Sequence, residues 1–97
     1  MRFATGPAVK GWDELQRQAP ANTTRAWQQM RTNPGGDRSR RHMPLKGTLG
    51  TVEIGGRPLP RWQYEVTAGG RVWYAIDVER RTVWVVFAGT GHPKATE

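Results

Sequence analysis

The apolar residues of this chain repeat at a helical spacing in its first third and at a strand spacing in its second half. That change of period restricts the chain to folds that join helices to a sheet. Ala8, Trp12, Leu15 and Ala19 fall on one face of a helix. Gly6-Pro7 marks its start, because a Pro in the first turn lacks only an N–H that would have no partner there. Pro20 ends it. Asn22 is the expected N-cap of a second helix that runs to about Thr32, with Ala26, Trp27 and Met30 as its apolar stripe. Asn33-Pro34-Gly35-Gly36 stops that helix. Arg2 to Thr5 is long enough for a short first strand. Neither helix would hold its shape alone, so both must pack on something.

What they pack on comes next. Asp37 to Met43 is polar and reads as a loop. Leu49 to Ile54 is strand-like, followed by a Gly55-Gly56-Arg57-Pro58 turn. From Arg61 to Thr67 the pattern alternates, with Trp62, Tyr64 and Val66 on one face and Gln63, Glu65 and Thr67 on the other. Ala68-Gly69-Gly70 makes a hairpin turn. Arg71 to Val78 alternates again, directing Val72, Tyr74, Ile76 and Val78 inward and Arg71 and Trp73 outward. Glu79-Arg80-Arg81 turns the chain, and Thr82 to Ala88 is apolar on both faces, as a central strand would be. The expected fold is α+β. Residues 1–97 form a single domain in which a helical hairpin packs on one face of an antiparallel sheet of three or four strands, with a short first strand as a further element.

Charge says what the uncovered face would meet. Fifteen Lys and Arg against eight Asp and Glu leave a net charge of +7, and twelve of the fifteen are Arg. Guanidinium groups grip phosphate in a fork and stack on bases. Five Trp supply large rings for both core and surface. An Arg and a Trp sharing one sheet face, as Arg71 and Trp73 do on this reading, suit single-stranded nucleic acid. After the last strand, Gly89 to Gly91 would allow a turn that brings His92 and Lys94 toward the sheet edge. Of the two His, His92 is the better acid–base candidate, since it follows a core strand. Other classes fall away. Without Cys, thiolate metal sites and disulfides are excluded, and two distant His make no zinc site. There is no phosphate loop and no dinucleotide fingerprint. Ser39 is the only Ser and lies among Arg residues, which disfavours a hydrolase triad. No apolar run has the length of a membrane span, and the first residues lack the apolar stretch of a secretory signal, so a cytoplasmic location is expected.

The order of elements, with Leu45-Lys46-Gly47 ahead of the sheet, Trp62-Gln63-Tyr64-Glu65-Val66 before a Gly-rich turn, Arg71-Val72-Trp73-Tyr74-Ala75-Ile76-Asp77, and an apolar strand closing in Gly89-Thr90-Gly91-His92, resembles the RelE/ParE superfamily of type II toxins from about Val9 to Lys94. Within it the HigB type fits better than the best-known RelE toxins. Gln63 and Glu65 stand where those carry a pair of Lys, and the catalytic Tyr of their C-terminal helix has no counterpart.

The resemblance implies a ribosome-dependent mRNA endonuclease, an mRNA interferase, that needs neither metal nor cofactor. It places Arg71 on the scissile phosphate, His92 or Lys94 as the basic residue after the last strand, and Glu65 or His42 as base. Lys46, Arg61, Arg40, Arg41 and Lys94 would hold RNA, with Trp73 stacking the target base. The implied partners are the ribosome, mRNA and a cognate antitoxin, an acidic or partly disordered segment that in one form carries a helix-turn-helix. Two alternatives stay open: a ParE-like inhibitor of gyrase, and a non-catalytic RNA- or DNA-binding regulatory module on the same fold.

Overall fold

Thr5 lies in extended backbone, and its hydroxyl accepts a hydrogen bond from the Ala8 amide. This caps helix α1 (Gly6–Gln18) one residue ahead of the expected Gly6-Pro7 start. The buried stripe of α1 is Ala8, Gly11, Trp12 and Leu15. Pro20 both ends α1 and opens helix α2 (Pro20–Thr32), so α2 begins two residues before the expected cap at Asn22. Thr23, Ala26 and Met30 form its buried face. The Thr23 hydroxyl donates to the Leu15 carbonyl at 3.0 Å, a second bond to an oxygen that already accepts from the Ala19 amide, so α2 is tied to the last turn of α1.

The computed structural model describes residues 1–91, and in it the two helices lie against a six-stranded, mostly antiparallel sheet. Its strands are β1 (Arg2–Phe3), β2 (His42–Pro44), β3 (Thr51–Ile54), β4 (Arg57–Glu65), β5 (Arg71–Asp77) and β6 (Thr82–Gly89). They run in the order β1-β6-β5-β4-β2, with β3 also paired to β4. The α+β class is therefore as the sequence leads one to expect. The sheet is larger than three or four strands because its two edges recruit short segments. β1 runs parallel to β6 through Arg2 and Phe3, and β2 takes up the last two residues of the stretch expected to be loop, together with Pro44. At the tip of the β3–β4 hairpin, Gly55 and Gly56 both take positive φ, which a two-residue turn of this hand requires. Arg57 and Pro58 consequently belong to β4 and not to the turn. Leu49 and Gly50 belong to a 3₁₀ turn (Gly47–Gly50) ahead of β3.

The inward faces of β4, β5 and β6 supply Trp62, Val72, Tyr74, Val83, Val85 and Ala88, which pack, together with Val66 just past β4, against Ala8, Trp12, Leu15, Ala26 and Met30 of the helices. The expected alternation holds except at one position. Val78 is 78% exposed, whereas its neighbour Asp77 is 1% exposed. The strand ends at Asp77 because its carboxylate takes an ion pair from Arg57 and a hydrogen bond from the Arg80 amide, which turns the chain toward β6. Burial alone would push the Asp77 carboxyl up. The hydrogen bonds from Arg57 and Arg80, together with their charges, outweigh it and hold the group below the ordinary carboxylate range.

Helix α1 reaches β6 most closely at Gly11. A Cβ placed there would fall inside the van der Waals envelope of the Ala88 carbonyl oxygen, so the backbones meet only because this residue has no side chain. Gly11→Ala should force helix and strand apart, at a cost of roughly 3 kcal/mol. In a chain of this size that corresponds to a Tm lower by about 12–24 °C in a thermal melt. An unchanged Tm would mean that α1 does not dock on β6 in this way.

Candidate nucleic-acid interface

The sheet face turned away from the helices is built by the other half of the same alternation. In the β4–β5 register, Arg61 pairs with Ala75, Gln63 with Trp73 and Glu65 with Arg71. In the β5–β6 register, Trp73 pairs with Phe87 and Arg71 with Gly89, and a bulge follows Trp73. Gln63, Glu65, Arg71 and Trp73 are thus brought together, as their spacing in sequence suggests.

Their exposure is the surprise. Trp73 is 5% exposed, Gln63 and Arg71 7% each. The Gln63 Oε1 accepts from Trp73 Nε1 at 2.8 Å and from Arg71 Nη1 at 3.3 Å. Phe87 lies against the Trp73 ring with centroids 5.9 Å apart, and the Arg61 guanidinium sits 5.3 Å over it. Trp73 is therefore no free platform for a base: its ring is already covered, and its indole N–H anchors an amide. Arg61 is not a loose cation either. Its Nε donates to the Leu49 carbonyl at 2.7 Å and its Nη2 to the Thr51 carbonyl at 3.1 Å, which ties the 3₁₀ turn and β3 to the sheet. Burial lowers the Arg61 pKa from its ordinary value.

Glu65 remains half-buried at the open end of β4, beside the loop that precedes β2. Its amide donates to the Arg41 carbonyl at 2.6 Å. Glu65, Arg40 and Arg41 line a cleft of about 330 Å³. A second cleft of about 400 Å³ holds Arg38, Ser39, Arg40, Met43, Pro44 and Lys46, so Arg40 is common to both. Four exposed cations, Arg38, Arg40, Arg41 and Lys46, therefore rim the β2 side of the face. His92 and Lys94 lie outside the described residues.

The loop carrying this rim is fastened to the core, and not a solvated linker. Tyr74 is fully buried, and its hydroxyl donates to the Pro34 carbonyl at 2.8 Å and pairs with His42 Nε2. His42 Nδ1 lies 3.2 Å from the Asp37 carbonyl, and the ring packs against Trp62, Tyr64 and Tyr74. Asp37 takes a positive φ, a conformation Asp tolerates better than most residues. His42 is 3% exposed and engaged at both nitrogens, which removes it as a candidate general base. Burial, and then the neighbouring Tyr64, push the Tyr74 phenol well above its ordinary pKa, so it keeps its proton and remains a donor.

The alternation of the sequence places Gln63 and Tyr74 on their correct faces but gives neither a task. The signal for Gln63 was its position opposite Trp73. Nothing local signals that Tyr74 would reach residues some forty positions away. Among the described residues, no helix is long and apolar enough to cross a membrane. Comparison with family models, curated proteins and solved structures finds no match to this chain.

Tyr74→Phe removes one hydroxyl and leaves the Pro34 carbonyl and His42 without it. The expected loss is about 1–3 kcal/mol of unfolding free energy, read from the urea midpoint. Amide exchange at Ser39 and His42 should quicken while that of Val72 does not. Equal protection at all three would show that the phenol does not hold the loop.

Proposed function

We propose that this chain is the toxin of a type II toxin–antitoxin pair and cleaves mRNA on the ribosome. The observation that carries the reading is the pairing of Glu65 with Arg71 across β4 and β5, next to a rim of exposed Arg and Lys. A carboxylate and a guanidinium on cross-strand neighbours, at the edge of a basic surface, suit acid–base work on a phosphodiester. The resemblance of the chain to RelE-type toxins supplies the substrate.

In the proposed reaction Glu65 takes the proton of a ribose 2′-hydroxyl. The oxygen attacks the adjacent phosphorus, the bond to the 5′-oxygen breaks, and a 2′,3′-cyclic phosphate forms. Arg71 meets the charge that develops on the phosphorane oxygens. His92 would return a proton to the leaving 5′-oxygen. Arg40, Arg41 and Lys46 would hold the flanking backbone, with a strong salt dependence as the consequence. An acidic antitoxin segment laid over this rim would neutralise it by folding on binding. These events would take place in the cytoplasm.

The burial of Arg71 favours a second reading, in which the same face binds nucleic acid or gyrase without cutting RNA. Expression of the wild type and of Arg71→Ala separates the two. Loss of the phosphate-binding cation should lower cleavage by about 10²–10³-fold, seen as restored growth and missing primer-extension stops on messenger. Equal toxicity from both forms, with inhibited supercoiling by purified gyrase, would overturn the nuclease reading.

A further inference from the structure

The Gln63 carboxamide is held in one orientation by chemistry. Trp73 Nε1 can only donate, and so can every nitrogen of Arg71. Both converge on one atom of Gln63, at 2.8 and 3.3 Å, so that atom must be the oxygen. Exchanging the amide oxygen and nitrogen would set three donors against one another. The amide nitrogen is left as the open corner of the group, with no acceptor among the described residues. Gln63 is 7% exposed, and its Nε2 is not among the enclosed side-chain atoms that lack a partner, so the small open part of this residue includes an N–H pair that the fold does not use.

The surroundings define what would take those protons. Gln63 lies on β4 between Arg61 and Glu65, pairs with Trp73 on β5 and faces Met43 of β2 in register, next to the Arg40–Arg41 cleft. Every nearby charge except Glu65 is positive, so an anionic oxygen is favoured over a neutral acceptor. A neutral donor that is held rigid loses no rotamer freedom when it bonds, unlike a Lys on a flexible stem.

We propose that Gln63 is a fixed hydrogen-bond donor to a phosphate oxygen of single-stranded RNA, positioned by Trp73 and Arg71. The proposal rests on the nucleic-acid reading of this face and does not require cleavage. It also gives Trp73 a task that fits its burial: the indole orients the amide that touches the ligand.

The test uses the full chain and a 2′-O-methyl RNA dodecamer, which can bind but offers no 2′-hydroxyl to attack. Gln63→Glu keeps an acceptor for Trp73 and Arg71 and replaces the outward N–H pair with an oxygen. Gln63→Met removes the donor without adding charge. Each should weaken binding by about tenfold, the scale of a hydrogen bond to a charged group. Gln16→Glu on α1 makes the same charge change away from the face and should stay within about twofold, as an exposed charge beyond the screening length does. In the wild type, the Gln63 side-chain amide protons should shift in NMR spectra as RNA is added, a reading that needs no variant to fold.

Affinities within twofold for both Gln63 variants, or unmoved amide protons at saturating RNA, would overturn the proposal. Wild-type protein that binds no RNA would overturn it together with the nucleic-acid reading. Binding that depends on Gln63 in a protein that never cuts messenger would refute the nuclease and leave the donor in place.

Discussion

The pairing register of β4 with β5 is the constraint on which the rest of the molecule depends. Side chains alternate across a strand, so one register puts Trp62, Tyr74 and Val72 under the helices and Gln63, Trp73 and Arg71 on the far side. A slip of one residue would send the polar set into the core and the apolar set to the opposite face. The Gly69-Gly70 turn and the Gln63–Trp73 hydrogen bond both fit only the observed register. Core and candidate site are therefore two consequences of a single choice, and neither can be redesigned without the other.

From that register the basic rim follows through Tyr74. Its ring is a core residue, and its hydroxyl crosses to Pro34 and His42 in the loop between α2 and β2. The loop carries Arg38, Arg40 and Arg41, which would otherwise repel one another freely in solvent. Fastening it at Pro34, Asp37 and His42 sets the cations beside Glu65 at the edge of the uncovered face. A preformed array of charge binds a polyanion with less ordering cost than a flexible one.

Much of this was legible in the sequence. The switch from helical to strand period fixed the class, and the alternation in Arg61 to Thr67 and Arg71 to Asp77 assigned faces correctly. What escaped has physical causes. β1 and β2 are two and three residues long, too short for any periodic pattern to register, and they exist because neighbouring strands offer them partners. Val78 reads as inward by alternation, but the Arg57–Asp77 pair ends the strand one residue earlier. His42, in a run of Arg residues, looks like part of a solvated loop, and only the distant Tyr74 draws it inside. Trp73 was placed on the uncovered face, as it is, but alternation says nothing of Arg61 and Phe87 lying over its ring.

The proposed contact surface for a polyanion is the face opposite the helices, with its β2 rim. Backbone amide shifts during titration with single-stranded RNA measure it most directly. Shifts should concentrate at Arg40, Arg41, Lys46, Gln63, Glu65 and Arg71 and fall off steeply with added salt, while α1 and α2 stay still. Shifts concentrated on the exposed faces of the two helices, with the sheet residues unmoved, would contradict it.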